Sequence, residues 1–83
     1  MMKEYNGHRS WNAWNIALWI GNDEGLYNLG LEALELTKSK KNGKYRFGNA
    51  AARFINNMGG GRTPDGAVYN HLSVKLALEG LKD

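Results

Sequence analysis

The stretch SWNAWNIALWIGNDEGLY, residues 10–27, decides the fold. Ser10 is a good N-cap residue, because its hydroxyl accepts a hydrogen bond from a free backbone N–H in the first turn of a helix. The apolar residues after it recur at helical spacing, and this periodicity predicts a helix over residues 11–20. Gly21 is expected to end that helix, and Asp23 to cap the next one.

The first predicted helix carries three tryptophans. Trp11, Trp14 and Leu18 fall on one stripe, with Trp19 beside it at about 100° around the helix axis. Such a stripe is the ordinary way in which a surface helix packs on its core, so core packing is the favoured interpretation. The alternative is that an exposed indole stacks on a base or on a partner's side chain. Because the indoles point in different directions, at least one is expected to lie at a rim.

Three further helices are predicted, over residues 24–39, 45–58 and 71–80. The apolar faces expected to pack are Leu26, Leu29, Ala33 and Leu36 in the second helix, Phe47, Ala51, Phe54 and Met58 in the third, and Val74, Ala77, Leu78 and Leu81 in the fourth. Asn70 is the expected N-cap of the last helix. Asn42-Gly43 is interpreted as a loop between helices, because its lysine-rich flank lacks the alternation of a hairpin strand.

Length and composition agree with one compact all-α bundle of about four short helices spanning residues 1–83. The chain has no cysteine, so neither a disulfide nor a thiolate metal site stabilises it. Because a core of this size supplies only about 3–5 kcal/mol, helix packing and self-association as a homodimer are the expected sources of stability. No apolar run approaches the roughly 20 residues of a membrane-spanning helix, and the N-terminus lacks the apolar stretch of a signal peptide. We therefore expect a cytoplasmic protein with no membrane partner.

Positive charge is concentrated in the middle of the chain. The net charge is +3, but residues 37–62 contain seven cationic side chains and no acidic one. This basic block attracts anions wherever the fold exposes it. With Tyr45 and Phe47 interleaved, the block is also compatible with nucleic-acid binding, whereas a solvated lysine face explains the same residues.

The loop Gly59-Gly60-Gly61-Arg62 is the most suggestive segment for a ligand. Glycines let backbone N–H groups approach a phosphate, and an arginine beside them makes paired hydrogen bonds to it. The loop lacks the Gly-Lys-Ser/Thr of a P-loop, and no strand precedes it as in a dinucleotide fingerprint. A helix stop followed by a linker is the favoured alternative. The Thr63-Pro64-Asp65-Gly66 segment after it is typical of a type I turn.

No combination of residues predicts catalysis. His8 and His71 lie far apart and lack acidic or histidine neighbours at helical spacing, so no metal site is indicated. Carboxylates such as Asp23 and Glu24 are usually solvated at a helix start. Because no nucleophile, base and orienting group occur together, we expect a protein that is not an enzyme and carries no cofactor. An enzyme would require carboxylates and a histidine to converge in a pocket.

The N-terminal third resembles a known family. Tyr5-Asn6-Gly7 and the pattern WNxWNxxLWIxNDExLY over residues 11–27, together with the Thr63–Gly66 turn followed by Tyr69, are similar to small uncharacterised proteins encoded by bacteriophages and related mobile elements. The resemblance implies a phage origin and expression in a host bacterial cytoplasm. It implies no catalytic residues, because the family has no established activity.

These observations predict a small phage-type binding protein, acting in counter-defence or host takeover, that captures an anionic ligand such as a nucleotide. An alternative partner is a host or defence protein, inhibited through an aromatic patch, and weak nucleic-acid binding is a further alternative. The residues expected to bind the anion supply backbone donors, positive charge and stacking surfaces: Gly60, Gly61, Arg62, Arg46, Arg53, Trp19 and Tyr69. Arg62 is expected to be essential for ligand binding but not for stability.

Overall fold

The structure is a computed structural model that describes residues 10–82. Four α-helices dominate this part of the chain: α1 (Trp11–Asn22), α2 (Glu24–Thr37), α3 (Phe47–Met58) and α4 (His71–Leu81). Within residues 10–82 there is no strand, and β-structure is limited to one antiparallel bridge between Arg62 and Val68. The predicted all-α bundle of four short helices is confirmed. The Tyr5-Asn6-Gly7 part of the motif and His8 lie outside the described residues.

Side-chain caps fix three of the helix starts. The Ser10 hydroxyl accepts a hydrogen bond from the backbone N–H of Ala13, and the Asp23 carboxylate accepts one from the N–H of Leu26. The amide oxygen of Asn70 caps α4 in the same way. All three predicted caps are therefore confirmed.

The end of α1 differs from the prediction. Gly21 lies inside the last turn, and the helix continues to Asn22 because the Asp23 N–H still donates to the Trp19 carbonyl at 2.9 Å. Asp23 thus ends α1 with its backbone and starts α2 with its side chain. A single residue between the two helices leaves no room for a flexible connection.

The core is formed by one face of each helix. Its largest fully buried hydrophobic side chains are Phe54, Ile16, Ile20, Leu34, Leu78 and Val74. The predicted inner faces of α3 and α4 are confirmed, since Phe54, Val74 and Leu78 are fully buried. In α2 the prediction is wrong for Leu36, which is 57% exposed, whereas Leu34 in the same last turn is fully buried and faces the core.

The orientation of α1 was also predicted wrongly. Trp11 and Leu18 are each 38% exposed, whereas Ile16 and Ile20 on the other side of the helix are fully buried. Asn15, a polar residue, is only 1% exposed. The helix turns Asn12 and Asn15 toward the loop between α3 and α4, which satisfies their hydrogen bonds, and this leaves Trp11 and Leu18 on the outer side.

The connection between α2 and α3 is a loop, as predicted. Gly43 has a positive φ of 70°, and the backbone N–H of Ser39 donates to the Lys44 carbonyl at 2.9 Å, which closes the loop on itself. None of the helices in residues 10–82 is long and apolar enough to cross a membrane.

Candidate functional site

The loop between α3 and α4 is held against α1 by side-chain hydrogen bonds. Its Thr63–Gly66 segment forms the predicted turn, in which the Gly66 N–H donates to the Thr63 carbonyl at 2.8 Å. Three side chains of α1 hold this loop and the residues that follow it: Asn12, Asn15 and Trp19. We call this set of contacts the loop clamp.

Asn15 lies at the centre of the loop clamp. Its amide nitrogen donates to the Asp65 carboxylate at 2.9 Å, and its amide oxygen accepts from the Thr63 hydroxyl at 2.6 Å. The Thr63 hydroxyl in turn accepts from the Ala67 N–H at 3.0 Å. Each polar atom of this buried group therefore has a partner, which is what a buried polar side chain requires.

Asn12 extends the clamp to the start of α4. Its amide oxygen accepts from the Val68 N–H at 2.7 Å, and its amide nitrogen donates to the Val68 carbonyl at 2.9 Å. The same nitrogen donates to the hydroxyl of Ser73, which is buried in α4. The side-chain amide of Asn12 thus bonds both the N–H and the carbonyl of Val68, as the backbone of a neighbouring strand would.

Trp19 and Asp65 form the outer part of the clamp. The indole Nε1–H donates to the Asp65 carboxylate at 3.0 Å. The hydrogen bonds from Asn15 and Trp19 stabilise the charged form and lower the pKa of Asp65 below its usual value. Trp19 also lines, with Leu18, Asn22 and Asp23, a shallow concavity of about 240 Å³.

The glycine loop predicted as an anion cradle is mostly engaged in ending α3. Gly59, Gly60 and Gly61 all have positive φ angles, and the N–H groups of Gly59 and Gly60 both donate to the Ile55 carbonyl. Gly60 therefore offers no free donor to a phosphate. The Arg62 guanidinium turns toward the Thr63–Gly66 turn and donates to the Gly66 carbonyl at 3.1 Å. These contacts favour the alternative interpretation of the segment as a helix stop.

Tyr69 is not placed to stack on a ligand. Its side chain is only 6% exposed and packs against Phe54, with ring centroids 6.2 Å apart. Burial, followed by the negative charge of Asp23, raises the pKa of Tyr69 above its usual value. The predicted stacking role requires an open ring face, and this tyrosine belongs to the core.

The structure does not bring the three predicted arginines together. Arg46 immediately precedes α3, Arg53 is exposed within it, and Arg62 follows it. A helix of 12 residues is about 18 Å long, so Arg46 and Arg62 lie near opposite ends of α3. Of the predicted ligand residues, Arg46 lines a concavity together with three lysines.

That concavity lies where α2 ends and α3 begins. It has a volume of about 460 Å³ and is open to solvent. We call it the basic concavity, and its lining residues are Leu36, Thr37, Lys38, Lys40, Lys41, Arg46 and Asn49. Four of the seven are cationic and none is acidic. Within residues 10–82, no carboxylate lies within 4.0 Å of the side-chain nitrogens of Lys40, Lys41 or Arg46.

The first turn of α3 opens beside this concavity. Arg46 occupies the N-cap position and provides no side-chain acceptor, in contrast to the capping residues of the other three helices. The first N–H groups of a helix carry the positive end of its dipole, and an uncapped start leaves them available to an anion. Two residues at this uncapped start, Arg46 and Asn49, are among the lining residues of the basic concavity.

A small ion-pair network supports one edge of the basic concavity. The Tyr45 hydroxyl donates to Glu35 at 3.1 Å, and Lys38 pairs with the same carboxylate at 3.4 Å. The hydrogen bond from Tyr45, followed by that from Lys38, lowers the pKa of Glu35. The ammonium groups of Lys38 and Lys82 lie 5.4 and 5.2 Å from the Tyr45 ring centroid. Glu35 thus partly neutralises Lys38 and holds it in place. Within residues 10–82, the other three cations of the basic concavity, Lys40, Lys41 and Arg46, have no such carboxylate partner.

The family model that matches this chain is described as a family of unknown function (DUF7249), and the match covers residues 1–83. The chain belongs to this family. No curated protein and no solved structure shows significant similarity to it.

Sequence reasoning missed part of the basic concavity. It identified the basic block but selected Arg53 and Arg62 for the site in place of Lys40 and Lys41, because a glycine-rich loop resembles known phosphate cradles. A signal was nevertheless present in the sequence. Arginine at a helix start, where serine or aspartate is usual, marks a terminus without a side-chain cap.

Proposed function

We propose that this protein is a non-enzymatic binding protein that captures a small phosphate-bearing anion, such as a nucleotide, in the basic concavity. The observation that carries the proposal is that Lys40, Lys41 and Arg46 line one concavity, and that Arg46 stands at the uncapped start of α3. A helix N-terminus with adjacent cations is a general arrangement for phosphate recognition.

The chemistry of the lining favours binding over catalysis. The polar neutral groups of the concavity are the Thr37 hydroxyl and the Asn49 amide. The hydroxyl already donates to the Ala33 carbonyl at 2.7 Å. The lining residues include no carboxylate and no histidine, and their four cationic side chains favour electrostatic capture of an anion.

The biological setting is part of the proposal. The motif over residues 11–27 resembles proteins of bacteriophages and mobile elements, which supports a phage origin and action in a host bacterial cytoplasm. A protein that sequesters a nucleotide signal would serve counter-defence or host takeover by binding alone.

Calorimetric titration of the full chain with pyrophosphate and with ATP tests the proposal. Hydrogen bonds to charged groups contribute about 1.5–3 kcal/mol each, so Lys40→Ala/Lys41→Ala should weaken binding by at least about tenfold. Raising the salt concentration should also weaken binding of these anions by the wild type, because salt screens the positive charges of the concavity.

Two control variants localise the effect. Arg53→Ala removes one positive charge from the exposed side of α3, outside the concavity, and should leave the affinity within about twofold, as expected for a screened surface charge. Arg62→Ala tests the glycine loop directly. Loss of binding in Arg62→Ala with retention in Lys40→Ala/Lys41→Ala would contradict the proposal. Tighter binding of short duplex DNA than of pyrophosphate would instead favour a nucleic-acid-binding protein.

A further inference from the structure

The solvent-facing side of α1 is apolar. Trp11, Trp14 and Leu18 follow one another at spacings of three and four residues, and Gly21 continues the same stripe one turn later. Trp11 and Leu18 are 38% exposed, and Trp14 is half-buried. We call these four residues the outer face of α1.

No charge interrupts this face. The 12 residues of α1 include no acidic or basic side chain, whereas each of the other three helices carries at least one, such as Glu32, Arg53 and Lys75. A helix that presents one side to water normally has charged or polar residues there. Contiguous exposed apolar residues on a small protein instead mark a surface that contacts another chain.

We propose that the outer face of α1 binds the same face of a second copy of this chain. In an antiparallel pair related by a two-fold axis, Trp11 of one copy lies opposite Gly21 of its partner, and Trp14 lies opposite Leu18. Each large side chain then meets a smaller one. A Cβ built on Gly21 would meet no atom within 4 Å, so the space beside this glycine is open to a partner's indole.

A second copy fits this face better than an unrelated protein. Complementary charges are one means by which an interface selects a different protein, and this face has none to offer. Two identical uncharged faces meet without repulsion and without burying an unpaired charge. The small core of a chain of 83 residues also gains apolar burial from such a pairing.

The pairing is independent of anion binding. The basic concavity is lined by residues from the end of α2, the following loop and the start of α3, and α1 contributes none of them. A dimer formed through α1 therefore has two such concavities. Loss of dimerisation and loss of anion binding can be produced by different substitutions.

Sedimentation velocity of the full chain over a range of concentrations tests the proposal. The wild type should be a dimer whose dissociation constant changes little with salt, because the interface is apolar. Leu18→Glu should raise the dissociation constant by at least about tenfold by placing a charge in the interface. Gly21→Leu should do the same by filling the space for Trp11, although the monomer has room for the added side chain.

Gly80→Leu is the matched control for Gly21→Leu. Gly80 is also an exposed helical glycine whose Cβ would meet no atom within 4 Å, but it lies in α4. This variant should remain dimeric, and circular dichroism should show wild-type helix content in all three variants. Pyrophosphate should still bind to Gly21→Leu, which separates this test from that of the concavity.

Three results would overturn the proposal. The first is a wild type that remains monomeric at every concentration, whether or not it forms a complex with a host protein. The second is a dimer that persists in both Leu18→Glu and Gly21→Leu. The third is a dimer that dissociates with salt, which would indicate pairing of opposite charges.

Discussion

The amide nitrogen of Asn15 donates to the carboxylate of Asp65 across 2.9 Å, which joins α1 to a loop 50 residues further along the chain. Trp19, one turn later in α1, donates to the same carboxylate oxygen. The two most distinctive parts of the sequence, the tryptophan–asparagine motif and the Thr63–Gly66 turn, are therefore the two sides of one contact. Their polar residues serve the fold.

Replacement of Asn15 tests how much the loop clamp contributes to stability. Asn15→Ala leaves the buried Thr63 hydroxyl without its acceptor and removes one donor from Asp65. An unsatisfied buried polar group costs about 1–3 kcal/mol, and we expect the free energy of unfolding to fall by that amount. Chemical denaturation followed by circular dichroism measures the change.

Asn56→Ala is the control for this substitution. Asn56 is an exposed asparagine of α3, so its replacement should change the free energy of unfolding by less than about 0.5 kcal/mol. Equal stability of Asn15→Ala and the wild type would show that the clamp contributes nothing.

The pH dependence of the Asp65–Trp19 hydrogen bond provides a second prediction. The pKa of Asp65 is lowered in the folded state, first by Asn15 and then by Trp19, so folding favours the ionised carboxylate. The resulting stability is present above the pKa of the unfolded chain, near 3.8, and is lost as the pH falls through the lower pKa of the folded state. The indole Nε1–H resonance of Trp19 should shift over that same acidic range.

In Asp65→Asn the pH-dependent shift of the Trp19 indole resonance should disappear. The indole resonances of Trp11 and Trp14 should respond to pH as they do in the wild type. A Trp19 resonance that titrates identically in Asp65→Asn would show that another group causes it.

Gly30 provides a third prediction, concerning the packing of α2 on α4. A Cβ at this buried glycine would lie 3.1 Å from Leu78 and 3.4 Å from Leu81, and Leu78 is fully buried. Gly30→Leu should therefore destabilise the protein by about 1–3 kcal/mol through overpacking. Gly80→Ala should instead stabilise it by up to about 1 kcal/mol, because an open helical glycine loses conformational entropy on folding without a packing role. Thermal unfolding of the two variants should shift in opposite directions.

The alkaline titration of Tyr69 provides a fourth prediction. Burial raises its pKa, so folding favours the neutral phenol. The associated stability is present below the pKa of the unfolded chain and is lost as the pH rises through the higher pKa of the folded state. Ultraviolet titration should show one tyrosine that ionises above the normal range in the wild type and not in Tyr69→Phe. If Tyr69→Phe retains that component, another tyrosine is responsible.

Much of the fold could be predicted from the sequence because its signals are local. Ser10, Asp23 and Asn70 act within one turn of their own helices, and the apolar spacing of α3 and α4 depends only on neighbouring residues. The orientation of α1 could not be predicted in this way. Asn15 faces inward because Thr63 and Asp65 satisfy it, and those partners are distant in the sequence.

The candidate site was predicted only in part for the same reason. The basic block over residues 37–62 was evident from the sequence. Which of its cations lie together in the concavity, however, depends on where α2 ends and α3 begins. The closed loop from Ser39 to Lys44 places the lysines beside Arg46, and it separates them from Arg62 at the far end of α3. Tyr69 was predicted to stack on the ligand because it is aromatic, whereas its side chain is buried and packs against Phe54.

The most direct test of the central claim is a titration of the isotopically labelled full chain with pyrophosphate, followed by amide chemical shifts at low salt. We expect the largest shifts at Lys40 and Lys41 and at the first-turn amides of α3, which are those of Phe47, Gly48 and Asn49. These shifts should diminish as salt is added. Shifts confined to the Gly59–Arg62 loop, or no shifts at all, would contradict the assignment of the basic concavity as the anion site.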